Sequence, residues 1–516
     1  MTIKANSKGE MKMKTIRKTI SLLLALLMLS STVLGVSFSA FAGDGKFYTY
    51  KKDGYYYYYQ IVNKEVFVQE AYAVEEENPT ATMSIPAKIK GYPVTTVSSI
   101  SVEKAKKIVF PNSVISIGTE DYGYSWIWSV KTISLGSGVA SIKDGFFNGA
   151  GNLTAFTVNK KNNFYAAKDG VLYDKAQTKL IQYPMGKSDK SFTTPSTVET
   201  IATGAFTSYS EESKLQTVTL SDSVKTLEPN AFRETNIETI NIGSGLKKYK
   251  GDAISDTTML KKITVSKDNA YFASWKDVLY SKDYTKIYKY PAKKSGSSYE
   301  IWKDVTAIGE GAFAYASLKS VTIPKGVKTI GNGAFYACTK LATATVPATV
   351  KSIGDWSFRE TGLKSVTLPK SVTALGYGAY QTCSNLSKVD LSKTKLKKIK
   401  QGTFSFSNLT SVKLPSTLTS IENEAFYYNP KLKSVTIPAS VTKIKGYAFG
   451  DNDALKTVTI KGKKVSINAN AFPYNYQYNS KTDKYKKVYQ FTIKAPKGST
   501  AETFAKKRGI KFVELS

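Results

Sequence analysis

Residues 432–449 read Leu432-Lys433-Ser434-Val435-Thr436-Ile437-Pro438-Ala439-Ser440-Val441-Thr442-Lys443-Ile444-Lys445-Gly446-Tyr447-Ala448-Phe449. The stretch divides into three phrases: Leu-x-x-Val-x-Ile-Pro, then Val-x-x-Ile, then Ala-Phe. The same phrases stand at Leu318, Val321, Ile323, Pro324, Val327, Ile330 and Phe335. Their closing aromatic recurs as Phe313, Phe335, Phe358, Tyr380, Phe404, Phe426, Phe449 and Phe472, at intervals of 22, 23, 22, 24, 22, 23 and 23 residues. A constant period in this range marks a solenoid, in which each repeat buries its apolar side only against its neighbours. The chain is therefore a long scaffold, and its function lies on its surface.

Upstream the grammar is noisier. Tyr122, Phe147, Phe206, Phe232 and Ile254 hold the aromatic place, several of them five residues after Ile117, Ile142 or Ile201. Thirteen copies are recognisable between about residue 105 and residue 472. Two longer units interrupt them. Val171-Leu-Tyr173 to Tyr183-Pro184 is echoed by Val278-Leu-Tyr280 to Tyr290-Pro291, at an offset of 107 residues. The same offset carries Val198 onto Val305 and Phe206 onto Phe313, so a whole block was duplicated.

From about residue 80 to 516, the recurring Val-Thr-Ile-Pro, Ile-Gly-x-x-Ala-Phe and paired Val-Leu-Tyr to Tyr-Pro units resemble the BspA-like leucine-rich repeat family of bacterial surface and secreted proteins. The resemblance implies a curved solenoid, an extracellular address and a binding or adhesion role, without naming a ligand. The expected fold is a β-rich solenoid of leucine-rich repeats of about 22–24 residues, a short strand plus turns per repeat, with two β-hairpin inserts and terminal caps.

Four segments follow. Residues 1–42 read as a signal peptide: Lys12, Lys14, Arg17 and Lys18 precede an apolar run from Ile20 to Val36, and Ala40-Phe41-Ala42 offers a small-x-small cleavage pattern. Residues 43–104 read as an N-terminal β cap, with the tyrosine run Tyr55 to Tyr59. Residues 105–472 form the solenoid, with hairpin inserts at about 158–187 and 265–294. Residues 473–516 form a C-terminal loop and cap, where Ser499-Thr-Ala-Glu502 matches a capping box and Gly509 stops a short helix. No second apolar run reaches membrane-spanning length, so no span is expected after signal cleavage. Val-x-Ile alternation predicts a short strand ended by proline, Val-x-x-Ile the next side of the coil, and Ala-Phe an inward turn filled by the ring. Thirteen turns at about 4.8 Å each give a rod or arc of roughly 60–70 Å.

The formal charge is +33, and the first 42 residues hold six basic residues and one acidic one, which leaves the remainder near +28. Almost all of it is lysine; the arginines are Arg17, Arg233, Arg359 and Arg508. Hydrated point charges attract anionic polymers in a salt-dependent way but do not read phosphate or bases in bidentate fashion, so no specific nucleic-acid role is expected. The same lysines also keep a β-rich surface soluble and block edge pairing. Both readings stand.

The chain has no histidine. That removes the usual serine and cysteine triads, histidine–metal sites and the commonest general base at neutral pH. Cys338 and Cys383 each follow the ladder aromatic by three residues. One column two turns apart places their Cα atoms about 10 Å from each other, beyond disulfide reach, so two buried thiols are expected. Asp451-Asn-Asp453 lacks the later glycine and glutamate of a calcium loop and reads as a turn. Neither catalytic residues nor a cofactor is assigned.

Three surfaces qualify for binding. The first is the outward column between Val and Ile on successive strands: Thr322, Thr345, Thr367, Lys413, Thr436 and Thr459. A hydroxyl ladder offers a regular face, although threonine also simply suits half-exposed strands. The second is the tyrosines of the inserts, Tyr284 among them, which equally cover the flank of the coil. The third comprises departures from the period: Tyr124, Trp126 and Trp128, and the loop carrying Tyr476, Tyr478, Lys484 and Tyr485. Aromatics beside lysines stack on sugars or bases. The expectation is a non-catalytic extracellular scaffold for adhesion or protein–protein contact. The expected partner is an extracellular protein or glycan; the alternative is salt-sensitive binding of anionic polymers, wall polymers among them, or of carbohydrates through the Lys- and Tyr-rich surfaces.

Overall fold

The computed structural model describes residues 45–74, 79–119, 125–207, 213–479 and 484–515. The leader read at 1–42, Tyr122 and Tyr124 lie outside them. The chain winds into a β-solenoid of about 18 turns, with one α-helix among the described residues. Each turn lays down one strand on a first face, such as Ser320–Thr322, and a two-residue strand on a second, such as Thr329–Ile330. Both stack parallel and in register on the turns before and after: Val321 faces Tyr299 and Ala344, and Ile330 faces Ile308 and Ile353.

The Ala-Phe turn forms a third ladder. Phe335 N–H donates to the Ser357 carbonyl at 2.7 Å, Phe358 to Ala379 at 2.8 Å and Phe449 to Ala471 at 2.8 Å. The residues two before and two after the aromatic donate in the same direction, as Trp356 does to Tyr377 and Tyr315 to Tyr336, each at 2.8 Å. Those flanking residues take positive φ, and the alternation aims every second N–H along the solenoid axis. Glycine fills several of these places, as at Gly333 and Gly378. The rings themselves are fully buried and stack from Phe313 to Phe472 with centroids 4.9–5.8 Å apart and planes within 11°.

The parallel stack begins at Thr82–Ser84, inside the segment read as the N-terminal cap, because Thr82 is already in register with Lys107. Ahead of it, Tyr48–Lys52, Tyr55–Val62 and Glu65–Ala73 form an antiparallel meander whose last strand joins Tyr92–Val97 in parallel. Alternation buries Tyr55, Tyr57 and Tyr59 under it. At the other end Ser499 Oγ accepts the Glu502 N–H, Gly509 adopts the left-handed conformation, and Lys511–Glu514 closes the stack against Thr492–Ala495. Glu502 reaches back to Gly498 N–H at 2.6 Å, one residue before the cap.

Each insert is a three-stranded meander rather than a hairpin. Tyr165–Lys168, Val171–Asp174 and Lys179–Gln182 pair antiparallel, and the last joins Thr200–Ile201 in parallel. The second insert repeats this with Phe272–Trp275, Val278–Ser281 and Lys286–Lys289. The third strand carries Leu180 or Ile287 at the buried place that Ile201 and Ile308 hold on the second face, so the insert re-enters the coil. Gly170 O accepts from Phe156 N–H at 2.8 Å, and Asp277 O from Ile263 N–H at 3.0 Å, so each insert covers the open edge of a first-face sheet. The buried side chains fall into three successive cores, Tyr55–Leu172, Val171–Leu279 and Val278–Ile510, with seams at the inserts. Asn162 and Asn269 pin the inserts at equivalent places. Each is fully buried, donates to two carbonyls and accepts two N–H groups.

Both cysteines are buried and free. Cys338 Sγ donates to Phe313 O at 3.0 Å and Cys383 Sγ to Phe358 O at 3.1 Å, so each thiol ties the aromatic turn to the one before. Asn429 and Asn452 do the same job in the same column. Burial pushes the thiols up, Cys338 to about 12 and Cys383 to about 11. A thiolate-directed reagent at pH 8 is therefore expected to label neither cysteine in the native chain and both once it is unfolded. Labelling in the native chain at the unfolded rate would contradict this packing.

Candidate binding surface

The outward column of the first face stands as the strand pattern requires. Thr322, Thr345, Thr367 and Thr436 are exposed, and Thr459 is half-buried. Thr367, Asp390 and Lys413 are cross-strand neighbours, and Lys413 reaches the Asp390 carboxylate at 3.5 Å. The Ser392 hydroxyl, with this ammonium, holds that carboxyl below the usual range. Upstream the column is tied to itself: Thr157 donates to Ser134, and Thr264 to Asn241, which donates to Thr219.

The first-face sheet is interrupted between Thr343–Ala344 and Ser365–Thr367, and again between Ser411–Lys413 and Ser434–Ile437. Ala344 holds the place that Val321 and Val366 hold on either side, two methyl groups smaller. A groove of about 650 Å³ opens there, lined by Thr322, Ile323, Thr343, Thr345, Val346 and Pro347. Exposed lysines border the strands at Lys319, Lys364, Lys388, Lys433 and Lys456. The face is thus hydroxyl-rich and cationic with an apolar floor.

The other expected residues scatter. Trp126 is 67% exposed and Trp128 45%, on either side of the fully buried Ile127, on the early turns. Tyr476, Tyr478 and Tyr485 are exposed on a hairpin formed by Asn475–Asn479 and Lys484–Val488; the Lys484 side chain lies outside the described atoms. The insert tyrosines face inward: Tyr173, Tyr183, Tyr280 and Tyr290 are buried. Tyr284 is half-buried, with its ring 4.9 Å from Trp302 and 5.6 Å from Tyr280.

One set was passed over in reading the sequence: the exposed aromatics beside the buried ladder, namely Trp356, Tyr377, Phe406, Tyr428 and Tyr447. Their signal was an aromatic two or three residues from the ladder rings Phe358, Tyr380, Phe404, Phe426 and Phe449. Trp356, Phe406, Tyr428 and Tyr447 hold φ between 51° and 54°, where a bulky residue costs about 1–2 kcal/mol relative to glycine.

Among the described residues, no group of three or more His, Cys, Asp or Glu side chains is placed to hold a metal ion. No described helix is long and apolar enough to cross a membrane.

Parallel turns of 22–24 residues with an inward aromatic ladder define a leucine-rich repeat solenoid. The model of the BspA type leucine rich repeat region (6 copies) matches residues 98–187, 183–280, 306–433 and 385–486, and the chain belongs to that family. Members are often surface or secreted proteins, typically mediate protein–protein contacts there, and are generally not catalysts. Among solved structures, a leucine-rich repeat protein from Eubacterium ventriosum is 22% identical over 84% of this chain and 97% of its own, with a TM-score of 0.43. The pneumococcal vaccine antigen PcpA is 20% identical over 91% and 99%, with a TM-score of 0.44. A leucine-rich cell surface protein from Faecalibacterium prausnitzii is 22% identical over 80% and 95%, with a TM-score of 0.38. No curated protein matches.

Proposed function

We propose that this chain is an exported, non-catalytic binding scaffold whose first face docks an extracellular protein at the bacterial surface. The groove at Thr322, Thr345 and Val346 carries the reading: it lies beside a break in the first-face sheet and offers a partner side chain an apolar floor. Hydroxyls around it supply hydrogen bonds, and the lysine files steer an acidic partner. The second reading, attraction of anionic wall polymers, is favoured by those same files.

The experiment is binding of residues 43–516 to arrayed matrix proteins, mucins, wall polymers and DNA, at low and high salt. A protein partner held by packed contacts keeps most of its affinity at high salt and loses about tenfold or more in Thr345→Glu, whose melting temperature stays that of the parent. Binding confined to acidic polymers, erased by salt and indifferent to Thr345→Glu, would discard protein docking in favour of the second reading.

A further inference from the structure

The edge formed by the Ala-Phe turns carries aromatics where the backbone favours glycine. At the position two before the ladder ring, Gly311, Gly333, Gly378 and Gly402 take the left-handed conformation without strain, while Trp356 and Tyr447 take it with large side chains. At the position two after the ring, Tyr315, Phe406 and Tyr428 do the same. Trp356, Phe406, Tyr428 and Tyr447 are exposed and Tyr315 half-buried, so strain is kept at accessible rings on five turns of one edge, which points to a use for those rings.

The rings are organised along the solenoid axis. Phe406 lies 5.4 Å from Tyr427, and Tyr427 lies 6.4 Å from Tyr447. Asn470 donates to the Tyr447 hydroxyl at 3.4 Å and accepts from the Lys487 ammonium at 2.7 Å, and that ammonium lies 3.7 Å over the ring of Tyr474; this ring is 5.5 Å from Tyr476, and Tyr476 in turn is 6.3 Å from Tyr485. The regular edge and the irregular hairpin are thus one aromatic track. Further up, Trp356 lays its indole over Gly378, where an added Cβ would come within 2.6 Å of the ring; the glycine leaves room for the ring to lie along the edge. Tyr315 and Tyr336 extend the row.

Charge distinguishes this edge from the rest of the molecule. In a chain of net +33, the six residues around each ladder ring from Phe313 to Phe449 hold five acids (Glu310, Asp355, Glu360, Glu424 and Asp451) and one base, Arg359. Between them stand the planar amides Asn332, Gln381, Gln401 and Asn423. Lys400 is paired with Asp355 and Arg359 with Glu360, so the regular edge carries no net positive charge to draw an anionic polymer; the unpaired cationic character of the track is confined to the hairpin, where the Lys487 ammonium lies 3.7 Å over Tyr474. Aromatic faces present flat apolar area, and amides and carboxylates exchange hydrogen bonds with hydroxyl groups. A pyranose matches both, with its C–H face on a ring and its hydroxyls at the edge. The track is linear, so the ligand is a polymer lying along it.

We propose that the edge from Tyr315 through Trp356, Phe406, Tyr428 and Tyr447 to the rings of Tyr476 and Tyr485 binds a neutral polysaccharide chain. This surface is separate from the first face and does not depend on the protein-docking reading.

The test is affinity electrophoresis and calorimetry of residues 43–516 with a soluble β-glucan, a galactomannan and a chitooligosaccharide, with heparin as the anionic counter-probe. Binding to a neutral glycan that is insensitive to salt is expected. It should fall about tenfold or more in the Trp356→Gly/Phe406→Gly/Tyr447→Gly variant. Glycine suits these three positions, so the variant's melting temperature should equal or exceed the parent's, which separates lost binding from lost folding. Trp126→Ala, an exposed aromatic off the track, and Thr345→Glu, on the first face, should bind the glycan as the parent does. No binding to any of the three neutral glycans, or binding that persists in the triple variant, would overturn the proposal.

Discussion

Replacing Phe358 by alanine should weaken the turns around it by about 3–5 kcal/mol and leave distant turns nearly unchanged. Phe358 is fully buried, with its ring parallel to those of Phe335 at 4.9 Å and Tyr380 at 5.1 Å. Alanine removes both stacked contacts and leaves a cavity that two flanking rings cannot fill, because each is held by its own backbone ladder. In a solenoid every turn is stabilised only by its neighbours, so the loss stays local and divides the stack. Amide hydrogen exchange is the measurement that sees this: protection around residues 335–380 should drop by about two to four orders of magnitude, while that around residues 224–242 keeps the parent value. A uniform drop along the chain would mean that the turns fold as one cooperative block and that nearest-neighbour packing is the wrong description.

One-dimensional packing is also why so much of the fold was legible. When the same neighbours meet at every turn, the same residue types recur, and Val321, Ile330 and Phe335 announce their places by repetition. Legibility failed where a strand is recruited by its neighbour rather than by its own phrase. Ser191–Thr193, Ser298–Glu300 and Lys511–Glu514 occupy first-face places without the full motif, so thirteen copies in sequence became about 18 turns. The inserts looked like hairpins because Lys179–Gln182 resembles a second hairpin arm, whereas its pairing with Thr200–Ile201 makes it a rung of the solenoid. Binding surfaces were harder still. Alternation predicted which way Thr322 and Thr436 face. It could not separate Tyr380, buried in the ladder, from Tyr377, exposed three residues earlier, because that depends on left-handed residues no periodicity displays. Nor could it show that Ala344 interrupts a sheet.

Lys289→Met should be as damaging as Phe358→Ala, and its damage should depend on pH. Lys289 is 1% exposed and belongs to the second copy of the duplicated block; the first copy has Gln182 at the equivalent place. Its ammonium meets the Asp252 carboxylate at 3.4 Å and donates to Gly311 O at 3.0 Å, while Tyr249 donates to the other carboxylate oxygen at 3.1 Å. Methionine keeps the apolar stem but strands the carboxylate, and breaking such a pair costs about 3–5 kcal/mol. Burial already raises the Asp252 carboxyl above its ordinary value, with Lys289 opposing that rise, so losing the ammonium raises it further. A carboxyl raised in the folded state binds its proton there at a pH where the unfolded chain has released it. The folded variant is therefore favoured as pH falls through the folded pKa, and the penalty is greatest above it. Hydrogen exchange around residues 287–313 should show the full loss at pH 8 and a smaller one at pH 5, each against the parent at the same pH. Asp252→Asn combined with Lys289→Met removes both charges and should recover most of the loss at pH 8. If the single variant were equally impaired at both pH values, or the double variant no better than the single, the stranded charge could not be the cause.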